Sequence, residues 1–162
     1  MVSLYKMTEE YYDRFYKNYC IEELKKQCIE NGYWSKNEAN EKALQEQESV
    51  LKEGIKTSGN YLFCIYNELS KKIVGEIWLG ELEKENMEIG FIFDIHINED
   101  DRNKGYAKKA IIELEKIAKT IGFSKIRLHV FVINEYAIKA YLNSGFNEFN
   151  KKDNSIWMEK VI

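Results

Sequence analysis

The chain has 162 residues, 44% of them hydrophobic, which suffices for one domain with one real core. With 24 basic against 27 acidic residues, a net charge of −3 and only three arginines (Arg14, Arg102 and Arg127), it lacks the basic face on which nucleic-acid affinity rests. No apolar run approaches the ~20 residues needed to span a bilayer, and Lys6, Glu9 and Glu10 stand where a signal peptide needs an apolar core, so a cytoplasmic protein with no membrane partner is expected. Cys20, Cys28 and Cys64 are odd in number and without C-x-x-C spacing, which favours small core residues in a reducing compartment over disulfides or a zinc knuckle. The two histidines, His96 and His129, have no third soft ligand at useful spacing, and no metal is expected.

In chain order, residues 2–7 alternate like a short strand, and Thr8 ahead of Glu9 and Glu10 marks a helix start. Tyr12, Phe15, Tyr16, Tyr19, Leu24 and Cys28 recur at helical spacing until Asn31-Gly32 stops the helix. A second helix is predicted over 35–52, capped by Ser35, with Ala39, Ala43, Leu44, Val50 and Leu51 on one side. Residues 61–66 and 73–79 are β-branched and aromatic strands joined by a polar turn, and a third strand runs from about Met87 to Ile97. Ala107, Ala110, Ile111, Leu114, Ile117, Ala118 and Ile121 step by three and four, the clearest helix in the chain, ended by Gly122. Residues 126–133 read as a strand covered on both faces beside a parallel neighbour. Asn134 caps a helix that Gly145 terminates, and 147–152 with 156–161 form a last hairpin.

Between the third strand and the clearest helix lies Arg102-Asn103-Lys104-Gly105-Tyr106-Ala107. A strand, a short basic loop with glycine and a helix start make a phosphate site, because first-turn N–H groups have no intrahelical acceptor and the peptide dipoles leave partial positive charge there. Arg102 and Lys104 add charge. The single glycine excludes the G-x-G-x-x-G fingerprint, and the G-x-x-x-x-G run from Gly54 to Gly59 continues with Asn60 instead of Lys-Ser/Thr.

The Arg-x-x-Gly-x-Ala spacing resembles motif A of the GNAT superfamily of N-acetyltransferases, whose Q/R-x-x-G-x-G/A loop cradles the coenzyme A pyrophosphate. Leu128-His129-Val130-Phe131-Val132-Ile133-Asn134, followed by Ala137, Ala140, Tyr141 and Gly145-Phe146, resembles motif B, where a strand ends at an asparagine and the next helix presents a tyrosine four residues before Gly-Phe. The two motifs cover about residues 87–146 in the right order, and the N-terminal helices are similar to those of small bacterial members with the Leu-His-Val-Phe strand. The resemblance implies an α/β protein of the α+β type: the GNAT fold, a mixed twisted sheet of about seven strands with helices on both faces, splayed at the central parallel strands, as a single acetyltransferase domain over 1–162.

It further implies acyl transfer from acetyl-CoA, a co-substrate, to a primary amine of a small molecule or peptide, in a monomer or homodimer. The CoA-binding residues would be the main chain of Ile95, His96 and Ile97, which pairs with the pantetheine arm as an added strand, then Arg102, Asn103, Lys104, Gly105, Tyr106 and Ala107, then Asn134 and Ala137. A main-chain N–H near Ile95 would meet the oxyanion, and Tyr141 would be the general acid toward the departing thiolate. Glu88, Asp94 and His96 share one parity on their strand, and Glu88 is favoured as general base. His129 reads as a satisfied core histidine. Glu99, Asp100 and Asp101 place three carboxylates beside the phosphate loop, tolerable if turned outward and costly to CoA affinity if turned inward. The acidic, tyrosine-rich first helix suits a cationic acceptor. An acyl-CoA-binding regulatory module of the same fold with little or no catalysis is the alternative reading, and an unrelated phosphate-binding α/β protein a third.

Overall fold

The computed structural model of the protein describes residues 1–82 and 88–162, so Met87, where the third strand is predicted to begin, lies outside the described residues. Among those described, seven strands are formed: β1 (Val2–Lys6), β2 (Asn60–Asn67), β3 (Lys72–Glu81), β4 (Ile89–Ile97), β5 (Lys125–Phe131), β6 (Asn147–Lys152) and β7 (Ser155–Val161). The helices are α1 (Glu9–Tyr11), α2 (Lys17–Glu30), α3 (Lys36–Val50), α4 (Tyr106–Ile121) and α5 (Glu135–Asn143). They form two compact units, Met1–Lys6 with Tyr61–Ile162, and Met7–Asn60.

In the first unit the strands make one mixed sheet ordered β1-β2-β3-β4-β5-β7-β6, and β4 and β5 run parallel at its centre. The element order is the one read from the sequence. The apolar stripe of α4, with Ala110, Ile111, Leu114 and Ala118 all buried, packs on a core that includes Ile77, Leu79, Ile92, Ile126, Leu128 and Val130. Gly122, at φ 111, ends α4, and its N–H donates to the Ala118 and Lys119 carbonyls. The strand predicted as covered on both faces alternates instead: Ile126, Leu128 and Val130 enter the core, while Arg127, His129 and Phe131 are half-buried on the other face. The parallel partner accounts for only one edge of β5; its other edge pairs antiparallel with β7. Edge strand β6 is exposed throughout and carries a bulge at Phe149, whose ring lies 4.6 Å from the Arg127 guanidinium.

In the second unit Thr8 caps the first helix, its Oγ1 accepting from Tyr11 N–H at 3.1 Å. Between α1 and α2 the chain winds as a π-helix over Tyr12–Tyr16, where the sequence predicts an uninterrupted α-helix. Tyr12 and Tyr16 are buried and Phe15 is exposed. Ser35 and Glu38 close a capping box at the start of α3. Leu44, expected on the inner side, is exposed; the buried stripe is Ala39, Ala43 and Gln47. A polar residue holds that inner position because the Gln47 amide donates to the Tyr12 phenol at 3.2 Å.

Candidate active site

The central parallel pairing is short. Ile89, Gly90, Phe91 and Ile92 pair with Lys125, Ile126, Arg127 and Leu128, and there the ladder stops, although β4 continues to Ile97 and β5 to Phe131. The cause lies on the other edge of β4. Trp78 pairs with Asp94 but its neighbour Leu79 pairs with Ile92, so Phe93 is an extra residue, a β-bulge. The Phe93 ring stacks on Trp78 at 4.7 Å and meets Phe91 edge-on at 5.1 Å, which fixes the bulge by packing. Beyond it the two strands part.

Main-chain groups alternate between the edges of a strand, and Asn98 N–H donates to Val74 O at 2.9 Å, toward β3. The peptide groups of Ile95 and Ile97 therefore face the opened side, where the sequence places the pantetheine arm. The Ile97 carbonyl there already accepts from Arg102 Nε at 3.1 Å. On the β3 side the approach is close: Gly75 pairs with Ile97, and a Cβ on Gly75 would fall 2.0 Å from the His96 carbonyl oxygen.

The bulge corrects the common face read for Glu88, Asp94 and His96. Paired residues share a face and consecutive ones do not, so Ile92, opposite Leu79, and Asp94, opposite Trp78, point to different sides of the sheet. Glu88 has the parity of Ile92, hence not that of Asp94 and His96. It is also exposed at the closed end of the pairing, where its carbonyl accepts from Ser124 N–H at 2.8 Å. At roughly 3.3 Å per residue it stands about 20 Å along the strand from Ile95. Beside the opening the structure instead brings Glu76 to His96, Oε2 to Nδ1 at 2.8 Å, with Glu76 buried and His96 half-buried. Sequence reasoning passed over Glu76; the available signal was a carboxylate inside the apolar run from Ile73 to Leu79.

At the open end Glu99–Asp101 form one 3₁₀ turn, and the loop reaches α4 through two left-handed residues, Asn103 at φ 62 and Gly105 at φ 75. A Cβ on Gly105 would meet nothing within 4 Å, so the glycine is required here for its backbone angle. The first intrahelical bond of α4 runs from Lys109 N–H to Gly105 O, which leaves the N–H groups of Tyr106, Ala107 and Lys108 at the helix mouth. The Tyr106 side chain turns elsewhere, its hydroxyl accepting from Asn67 Nδ2 at 2.7 Å. Asn103 Oδ1 accepts from the Tyr136 hydroxyl at 3.0 Å, which ties the loop to α5. Of the acidic triplet, Glu99 and Asp100 are exposed and Asp101 is buried, its Oδ1 meeting Lys72 Nζ at 2.9 Å and Lys104 Nζ at 3.1 Å. The Lys72 hydrogen bond, and then that of Lys104, hold the Asp101 carboxyl below its ordinary range.

Asn134 Oδ1 accepts from Ala137 N–H at 3.1 Å, which caps α5. Tyr141, on the same helix, packs its ring edgewise on Phe146 at 6.0 Å. Burial, and secondarily the Asp94 carboxylate, push its phenol well above the ordinary tyrosine value. His129 Nε2 lies 2.9 Å from Ser155 Oγ between the rings of Phe131 and Trp157, and burial lowers its pKa. Burial pushes the Cys64 thiol up to about 12, which makes it inert at neutral pH.

Residues 22–146 match the model of the acetyltransferase (GNAT) family. The chain belongs to the GNAT family. It is 33% identical over 142 residues to the uncharacterized N-acetyltransferase YycN of Bacillus subtilis, covering 87% of this chain and 88% of that one. The crystal structure of YycN superposes with a TM-score of 0.87 over 94% of this chain and 96% of its own. Two more distant GNAT-like structures share the fold. The PaiA N-acetyltransferase of Thermoplasma acidophilum, in complex with coenzyme A, is 19% identical with a TM-score of 0.74 over 100% of this chain and 99% of that one. The spermidine N-acetyltransferase of Vibrio cholerae, in complex with CoA and spermine, is 20% identical with a TM-score of 0.67 over 99% and 95%. Among the described residues of this GNAT chain no helix is long and apolar enough to cross a membrane, and no three metal-ligating side chains cluster.

Proposed function

We propose that the protein, acting as one acetyltransferase domain, transfers an acetyl group from acetyl-CoA directly to a primary amine of a small molecule or peptide. The observation that carries this reading is the parting of β4 from β5 after Ile92, on the strand that leads into the Gly105-capped mouth of α4. Acetyl-CoA supplies an activated thioester. Arg102 and the first-turn N–H groups of α4 hold its pyrophosphate, and the outward peptide groups of Ile95 and Ile97 pair with its pantetheine arm. Asn134 and Ala137 flank that arm from the start of α5.

The Ile95 N–H stabilises the oxyanion as the amine attacks the thioester carbon. The C–S bond then breaks, Tyr141 delivers its phenolic proton to the thiolate, and the proton that the nitrogen sheds on becoming an amide restores the phenol. The amine enters as ammonium and must first lose a proton. With the Nδ1 proton directed at Glu76, the accepting lone pair of His96 is at Nε2, and this pair takes the role assigned from the sequence to Glu88.

Calorimetric titration with acetyl-CoA and desulfo-CoA, alongside an Arg102→Ala, Gly105→Asp double variant, tests the site. Micromolar binding that the variant loses supports it, and no binding by the native chain overturns it. Spermidine, the acceptor named for the Vibrio relative, heads the amines to be screened for thiol release, before aminoglycosides and peptide N-termini. Tight CoA binding without turnover on any amine would mark a non-catalytic acyl-CoA-binding module.

A further inference from the structure

Lys72 lies thirty positions before the phosphate loop in sequence, at the first residue of β3, yet its ammonium shares one carboxylate oxygen of Asp101 with Lys104. Asp101 is buried, with its side chain 3% exposed, while both lysine side chains are 50% exposed. Lys104 also donates to the Asp100 carbonyl at 2.7 Å, so the loop lysine folds back on its own loop. The group is two cations on one anion. One of the two can leave without stripping the carboxylate of its partner, and the chain decides which: Lys72 is mounted on a sheet strand, and Lys104 on the loop itself. If Lys72 were absent, moving Lys104 to a phosphate would leave a buried carboxylate uncompensated, which is far costlier than loosening an exposed pair.

We infer that Lys72 is a positioning residue for the phosphate loop: by neutralising Asp101 it releases Lys104 to the phosphates of the bound CoA. This rests on the CoA-binding reading above and deepens it. The inward acidic residue then leaves the loop able to bind an anion, through a lysine that no phosphate-loop pattern contains. Lys72 acts through Asp101 and needs no contact with the ligand.

The test is a calorimetric comparison of CoA binding by the native chain, Lys72→Met, Lys72→Arg and the Lys72→Met, Asp101→Asn double variant, with thermal melts of each. Lys72→Met is expected to raise the Kd about fourfold, Lys72→Arg to stay near native, and the double variant to recover native affinity or better, since no carboxylate is left to hold Lys104. The recovery separates this from a structural role, because a second substitution in a merely damaged loop does not restore binding. Native affinity in Lys72→Met, or no recovery in the double variant while the native chain binds CoA, overturns the inference alone. Failure of the native chain to bind CoA overturns the functional reading as well.

Discussion

The two ends of β4, Ile89 to Ile92 and Asp94 to Ile97, do opposite things. From Gly90 to Ile92 the strand is paired on both edges and contributes to the core; from Asp94 to Ile97 it is paired only toward β3 and offers its other edge. A single extra residue, Phe93, separates the regimes. It ends the parallel ladder and exchanges the faces to which subsequent side chains point. A closed ladder and an open edge thus occupy adjoining segments of one strand.

Substitutions can break or sharpen that division. The largest effect is expected from Tyr141→Phe: turnover falls by roughly two to three orders of magnitude, while the calorimetric Kd for acetyl-CoA and the melting temperature hold. A parallel loss of CoA affinity would move Tyr141 from the chemistry to the packing. At the closed end Leu128→Ala, in a fully buried position, should cost about 3 kcal/mol in urea unfolding with turnover per folded molecule unchanged. Glu76→Gln is expected to lower turnover about tenfold without altering CoA affinity; unchanged turnover removes the pair from the proton path. Gly105→Ala places a side chain at φ 75 and should destabilise by about 1–2 kcal/mol, read by thermal melts, with weaker CoA binding alongside.

The smallest effect concerns pH. His129 has its pKa lowered in the folded state, so the unfolded chain takes up its proton first. Its contribution to stability is complete above the unfolded value of about 6.5 and is lost as pH falls through the folded value. Melts of His129→Gln should therefore show a shallower decline on acidification than the native chain; identical slopes would locate the acid sensitivity elsewhere.

How far the sequence could be read follows the same boundary. Elements defined by local periodicity were legible: α4 from its three-and-four spacing, Ser35 as a cap, and the succession of strands and helices along the chain. The common face read for Glu88, Asp94 and His96 failed because parity is a count along one strand, and the bulge that resets it depends on Phe93 finding Trp78 across the hairpin. Leu44 failed for a related reason, since Gln47 enters the interior only through a partner thirty-five residues away. Lys104 was expected to point at a phosphate; its actual neighbour is a carboxylate whose second cation comes from another strand. Local pattern gives the elements, and non-local pairing sets the direction of their side chains.

Gly75 extends this to how the protein can drift. Its α-carbon sits so near the His96 carbonyl that no residue with a β-carbon fits unless β4 shifts sideways, and β4 at that point is the wall of the opening. The only mutations that position accepts are ones that also remodel the mouth of the site. A deep mutational scan would find it as intolerant as a residue of the reaction, even though glycine has no group to contribute to one.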